Sequence, residues 1–268
     1  MHLVDIGINL THDSFDRDRD EVIARAQAAG VDRFIITGSS VEASTQAAQL
    51  AATAPGRFFS TAGIHPHHAS ELDDSAIGAL RELCKLPQVV AVGECGLDHF
   101  RNFSPPVDQA RAFHLQLELA EENQLPVFLH QRDAHEDFVA ILGEHMGGIS
   151  RAVAHCFTGE REEMMTYLDM DLYIGITGWI CDERRGLHLR ELVSEIPDDR
   201  IMIETDAPYL LPRDLKPRPK SRRNEPMHLP HVLETIAECT GRSVQELARL
   251  TTENAKRFFD LPAGSQES

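Results

Sequence analysis

Eight short apolar runs punctuate the chain, around Leu3–Ile8, Arg33–Thr37, Phe58–Ile64, Val89–Gly93, Val127–Leu129, Ala152–Ala154, Leu172–Ile176 and Ile201–Ile203. Runs of this length read as buried parallel strands. Between them lie stretches of helical character. In Asp16–Ala29 the apolar residues Val22, Ile23, Ala26 and Ala29 recur at three- and four-residue steps, and Gly30 follows as a C-cap. Val41–Ala52, Asp74–Cys84, Val107–Asn123, His135–His145, Arg161–Leu168, Leu187–Glu195 and Met227–Cys239 complete the series. Eight strand–helix alternations at roughly 30 residues per unit predict an α/β fold of the (β/α)8 barrel type rather than an open doubly wound sheet. A further C-terminal helix, Ser243–Phe259, opens with the capping-box pattern Ser243-Val-Gln-Glu246. No linker interrupts the pattern, so one domain is expected over residues 1–262, with 263–268 a frayed tail.

Composition narrows the class. Apolar residues make up 42% of the chain, enough for a sizeable core. No apolar run approaches the roughly 18 residues of a membrane span. The start, Met1-His-Leu-Val-Asp5, lacks the basic-then-apolar order of a secretory signal. The five cysteines, at 84, 95, 156, 181 and 239, include no Cys-x-x-Cys pair and suggest reduced thiols in a cytoplasmic protein. Cys95 and Cys156 each follow a candidate ligand directly. On a strand they would face away from it, into the core. No coiled-coil heptads occur, and a monomer without membrane partners is expected. The net charge of −17 argues against a duplex binder held by a broad basic surface. A local basic patch nevertheless exists in Arg213, Lys216, Arg218, Lys220, Arg222 and Arg223.

The chemistry gathers at the carboxyl ends of the runs. Glu94, His130, His155 and Asp206 each close one of them, and such ends converge in a barrel. Two imidazoles and two carboxylates make a plausible shell for a catalytic divalent metal. Other strand ends carry Asp5 and Asn9, His65 followed by Pro66, Arg132, and Glu204. Glu204 lies two residues before Asp206 and suits a supporting role better than direct ligation. His67 and His68 are expected in solvent.

The blocks Gly63-Ile-His65-Pro66, Gly93-Glu94-Cys-Gly-Leu-Asp98, His130-Gln-Arg132-Asp-Ala134, His155-Cys-Phe-Thr-Gly159 and Glu204-Thr-Asp206-Ala-Pro-Tyr-Leu210 occur in one order. Together they resemble the TatD family of metal-dependent deoxyribonucleases. The resemblance implies an amidohydrolase-like TIM barrel. It also implies magnesium- or manganese-dependent hydrolysis of phosphodiesters, as 3′-to-5′ exonuclease action on single-stranded DNA and on RNA, in DNA repair or fragment degradation. Glu94, His130 and His155 match the family's metal ligands, Asp206 its catalytic aspartate, also placed in the metal shell, and His65 a histidine near the metal that contacts a phosphate. Many members carry His-x-His at the end of the first strand, where this chain has Gly7 and Asn9. Losing two imidazoles argues against a tight two-metal site and favours Mg²⁺ or Mn²⁺ over Zn²⁺.

The expected mechanism has Asp206 take the proton of a metal-activated water while His65 and Arg132 stabilise the phosphoryl oxygens. Asn9, Trp179, Tyr209, Arg213, Arg222 and Arg223 are the substrate-binding candidates, Trp179 and Tyr209 by stacking and the arginines through phosphates. Two other readings stay open at this point. One is hydrolysis of a different bond, such as a lactone, an amide or an aminoacyl ester on transfer RNA. The other is a non-catalytic nucleic-acid-binding module.

Overall fold

All eight apolar runs become parallel strands: β1 Leu3–Ile8, β2 Val31–Ile36, β3 Phe58–Ala62, β4 Val89–Asp98, β5 Val127–Arg132, β6 Ala152–Ala154, β7 Tyr173–Ile176 and β8 Ile201–Ile203. The computed structural model describes residues 2–263. Each strand pairs with the next in sequence order. The seam between β8 and β1 is closed just past the strand ends, where Asp206 N donates to Gly7 O (2.9 Å) and Asn9 N to Ala207 O (2.8 Å). The Asp5 carboxylate reinforces the seam by accepting from Thr205 N at 2.9 Å and from its hydroxyl. The result is the barrel that the alternation predicted.

The helices α1 Arg19–Ala28, α2 Val41–Ala52, α3 Asp74–Leu83, α4 Pro106–Asn123, α5 His135–His145, α6 Arg161–Asp169, α7 Leu187–Leu192 and α8 Leu229–Thr240 follow their strands, and α9 Val244–Phe258 comes last. Three of them start late or end early. Residues 13–15 form a separate 3-10 turn that buries Phe15, so α1 begins only at Arg19. The turn after Leu192 tightens to 3-10 geometry ahead of Pro197, which cannot extend a helix. Pro226 opens another 3-10 turn before α8. Ser243 caps α9 as its sequence suggests, accepting from Glu246 N at 3.2 Å. The expected tail lies outside the described residues apart from Ala263.

Two apolar layers hold the barrel. One lies between the strands and the outer helices. The other fills the interior with Val4, Ile6, Ile35, Phe59, Phe128 and Met202, and Phe258, Phe259 and Leu261 at the end of α9 join it. Helix α9 reaches the amino-terminal ends of the strands, where Thr252 donates to His2 O and Asn254 to Ile201 O. That end is therefore sealed by apolar side chains. Polar chemistry is left to the opposite mouth, where barrel strands deliver ligand-type residues.

Candidate metal centre and nucleic-acid interface

Strand β4 is twice the expected length and runs through Glu94 to Asp98. It does so with Gly93 at φ +136° and Gly96 at φ +140°, conformations that side chains other than hydrogen rarely adopt. A Cβ on Gly96 would also lie 1.9 Å from His130 O, so glycine is required for β4 and β5 to stay in register around the site. Glu94 is thereby presented to the barrel mouth, buried to 8% exposure.

One oxygen of Glu94 gathers three imidazoles. Its Oε1 lies 2.8 Å from His155 Nε2, 3.0 Å from His130 Nδ1 and 3.4 Å from His65 Nε2. Donor atoms of His65, Glu94 and His130 all fall within 4.8 Å of one another, a spacing that could hold a metal ion. Asp206, at φ +52° past β8, is fixed by Asn9 Nδ2 donating to Oδ1 at 3.0 Å. The structure thus brings Asn9, His65, Glu94, His130, His155 and Asp206 together.

The hydrogen bonds assign the imidazoles different tasks. His65 Nδ1 accepts from His67 N–H (3.1 Å), so in the neutral ring the proton sits on Nε2. Burial pushes its pKa down to about 3, against the pull of Glu94, and keeps the ring neutral. His65 is therefore a donor at Nε2 and poorly suited to ligate there. His155 has the reverse arrangement. Its Nδ1 faces Glu204 Oε2 at 3.2 Å, and since the carboxylate only accepts, the Nδ1 proton is pinned there. Its Nε2 then turns a lone pair or a second proton toward Glu94. Burial lowers the His155 pKa, but Glu94 and Glu204 more than reverse this and hold it well above the ordinary histidine value. His130 is likewise raised, burial being outweighed by Asp98 and Glu94. Its Nε2 is buried without a hydrogen bond, the Asp98 Oδ2 atom lying 3.4 Å away. Burial raises Glu94, yet His155, His65 and His130 hold it well below the usual carboxylate range. A buried carboxylate facing the raised imidazoles of His130 and His155 is a donor set that a divalent cation would relieve.

Asp206 differs. Burial, with Glu94 and Glu204 adding to it against His155, pushes its pKa up to about 7. Glu204 is fully buried and also accepts from Cys156 N, the supporting position expected for it.

Two further residues belong to the site: Asp98, which the sequence motif contains without a role, and His67, expected in solvent. Asp98 Oδ2 lies 2.8 Å from His67 Nε2 as well as near His130, and its pKa is depressed: burial raises it, but the nearby His130 ring and the hydrogen bonds with Arg101 N and His67 dominate. His67 is therefore not free in solvent, because the 3-10 turn Pro66–Glu71 folds it back over the mouth. Cys156 is corrected too. It lies beyond the end of β6 at φ +47°, where strand alternation no longer applies, with Sγ 3.7 Å from Thr177 Oγ1. Burial, then Asp206 and Glu204, push its thiol pKa well up. Cys95 is buried in the outer core as expected.

The outer candidates spread around the rim. Tyr209 is half exposed, packs edge-on against His12 and lines a cleft of about 220 Å³ with Asn9 and Ser39. Trp179 is half-buried, with the Arg185 guanidinium 5.7 Å above it. Arg132 lies over the Phe100 ring at 3.9 Å. The basic loop divides. Arg223 grips both oxygens of Asp18 (2.7 Å each), Ser14 O and Glu225 instead of facing solvent. Arg213 lies 3.5 Å from Asp182. Lys216, Arg218, Lys220 and Arg222 are exposed, with no acidic partner within 4.0 Å among the described residues. Cys181, Asp214 and His231 form a second ligand-type grouping, but Asp214 is already shared between His231 and Arg190.

The family model for TatD-related DNases matches residues 4–260. A protein of Erwinia billingiae named 3′-5′ ssDNA/RNA exonuclease TatD is 53% identical over 261 residues, covering 97% of this chain and 100% of the relative. One of Erwinia tasmaniensis with the same name is 55% identical over 259 residues, covering 97% and 100%. Among solved structures, a TatD homologue of Escherichia coli superposes with a TM-score of 0.88 at 25% identity, covering 97% of this chain and 98% of that one. A TatD-family hydrolase of Entamoeba histolytica does so at 0.88 and 27% identity, covering 98% and 99%.

Proposed function

Since the chain belongs to the family of TatD-related DNases, we propose that it is a metal-dependent 3′-to-5′ exonuclease acting on single-stranded DNA and RNA. The observation that carries this reading is the single Glu94 oxygen facing three imidazoles at the open end of the barrel. Glu94, His130, His155 and Asp206 would hold one divalent cation, Mg²⁺ or Mn²⁺ in preference to Zn²⁺ because half of the donors are carboxylates. When bound, such a cation supplies Lewis acidity to a phosphodiester and lowers the pKa of water.

The rest of the chemistry belongs to the chain. With Oδ1 occupied by Asn9, Asp206 has Oδ2 to receive the proton of the attacking water. His65 offers its Nε2–H to a non-bridging phosphate oxygen, and Arg132 offers a forked pair of donors to another. Tyr209 borders the cleft beside Asn9, and the unpaired cations of 216–222 draw in the strand's further phosphates. Among the described residues no helix is long and apolar enough to cross a membrane. All five cysteines are free. Free thiols suit a reducing compartment, and we propose a cytoplasmic protein that acts as a monomer on damaged or fragmented nucleic acid.

The test is a panel of DNA and RNA oligonucleotides, single- and double-stranded, labelled at one end and incubated with Mg²⁺, Mn²⁺, Zn²⁺ or EDTA. A 5′ label should pass through a ladder of shortening products, and a 3′ label should appear at once as mononucleotide. No cation-dependent loss of label from either end would refute the reading.

A further inference from the structure

Among the described residues, the two most exposed aromatic side chains are Phe103, at 67%, and Phe100, at 53%. Both lie on the short loop between β4 and α4, directly after Asp98. Large apolar groups left in water beside an active site call for a partner.

The loop that carries them is held at both ends. The buried Gln109 donates from Nε2 to Asp98 O (3.1 Å) and Ser104 O (2.9 Å), and its Oε1 accepts from Asp98 N at 2.8 Å. Asp98 Oδ1 accepts from the backbone N–H of Phe100 and of Arg101, at 3.1 and 2.8 Å. Ser104 Oγ donates to His67 O. The rings are thus presented by a fixed scaffold, and the carboxylate that fixes it is the one facing His67 and His130.

Both rings are also joined to the centre. The Phe103 ring meets His67 edge-on with centroids 4.7 Å apart, and His67 meets His65 at 4.2 Å. Phe100 lies under Arg132, 3.9 Å from its guanidinium carbon, with Arg101 at 5.5 Å. Arg132 shares a strand face with His130. Neither arginine has an acidic partner within 4.0 Å among the described residues. Unpaired guanidinium groups beside exposed phenyl rings match a strand that carries bases on one side and phosphates on the other.

We propose that Phe100 and Phe103 form a stacking platform for the unpaired bases of the strand entering the site, with Arg101 taking an adjacent phosphate and Arg132, packed over Phe100, joining the platform to the phosphate under attack. This rests on the nuclease reading above and adds to it a structural source of single-strand preference. A base can stack on these rings only when its face is free of a duplex neighbour.

The experiment compares wild type, F100A/F103A and F100W/F103W, with L86A as an exposed apolar control at the far end of β4. Single-stranded oligonucleotides carry either normal nucleotides or abasic residues in the last three 3′ positions. Binding is read separately, in EDTA, from the quenching of 2-aminopurine at those positions. Wild type should quench and should favour the base-bearing over the abasic strand. F100A/F103A should lose the quenching, raise KM for the base-bearing strand about tenfold or more with kcat within about twofold, and lose its preference. F100W/F103W should restore all three, and L86A should behave as wild type.

Equal quenching and KM in wild type and F100A/F103A would overturn the platform while leaving the nuclease reading intact. If wild type digests nothing, the nuclease reading falls, and the platform is still decided by whether the quenching depends on the two rings.

Discussion

Replacing Glu204 by Gln tests whether the site is organised from behind its ligands. Glu204 is fully buried, and it never needs to touch substrate to matter. Its Oε2 lies 3.2 Å from His155 Nδ1, and its Oε1 accepts from Cys156 N. The carboxylate is wedged between two strands: a Cβ on Gly7 would lie 2.2 Å from Oε2, and one on Gly175 would lie 2.6 Å from Oε1. An amide put in its place cannot swing aside. If its oxygen keeps Cys156 N–H, its NH₂ opposes His155 Nδ1–H, and the ring escapes only by moving its proton to Nε2, the atom that faces Glu94. If its oxygen keeps His155, the NH₂ opposes Cys156 N–H. Either way one hydrogen bond to a charged group is lost and a buried donor is left opposed, worth about 1.5–3 kcal/mol. That corresponds to roughly a 10- to 150-fold loss in cation affinity, in line with the usual effect of removing a partner behind a ligating histidine. Calorimetric titration with Mn²⁺ reads it directly. The cation dependence of oligonucleotide digestion should shift to higher concentration by the same factor and be rescued by excess metal. If E204Q bound Mn²⁺ as tightly as wild type, the tautomer argument for His155 would be wrong.

Three further outcomes follow from the same geometry. Asp206→Asn should lower turnover by about 10²- to 10⁴-fold. In EDTA near pH 8 its thermal midpoint should equal or exceed that of wild type: a carboxyl pushed up to about 7 when folded opposes folding increasingly as pH rises from its unfolded value through 7, and Asn removes that penalty. A clear fall in midpoint would contradict it. Arg223→Ala should destabilise the fold by about 2 kcal/mol, several degrees in thermal midpoint, with little change in KM, because Asp18 and Glu225 lose a partly buried partner. A large KM effect without destabilisation would mark it as a phosphate contact instead. If Lys216, Arg218, Lys220 and Arg222 all meet phosphates, log affinity for single strands should fall against log salt with a slope near −3, reduced by roughly 1.4 in K216A/K220A. A flat salt response would favour a small uncharged substrate.

The barrel was legible because its signal is local. Eight runs of buried-strand composition, each with an amphipathic or alanine-rich partner, need no long-range information. The four residues that close those runs were legible for the same reason. What escaped depends on contacts between distant segments or on breaks in periodicity. Strand β4 seemed to stop at Gly93 because glycines at 93 and 96 interrupt a strand pattern, yet both are there so that backbone can approach Phe128 and His130. The misplaced end left Asp98 in view but without a role, and with it the loop bearing Phe100 and Phe103. Two aromatics inside the polar stretch His99–Ser104 were the available clue. His67 looked solvated because nothing local predicts the turn that returns it to Asp98. The basic run could not be divided from sequence, since Asp18, whose two oxygens hold Arg223, lies 205 residues away.

That division bears on how a chain of net charge −17 could serve a polyanion. The acids at the mouth are mostly committed: Glu94 and Asp98 to imidazoles, Glu204 to His155, Asp5 to Thr205. The unpaired cations, by contrast, sit on other segments, at 101 and 132 at the ends of β4 and β5 and at 216–222 after β8. Charge is sorted by position even though the total is acidic, and total charge predicts only the absence of indiscriminate duplex binding. The same sorting separates this mouth from a barrel built for a small neutral amide or lactone. Such a substrate would gain nothing from exposed guanidinium groups on both flanks or from phenyl rings standing in water. The fold alone leaves that choice open. It is made by residues on the loops that follow β4, β5 and β8.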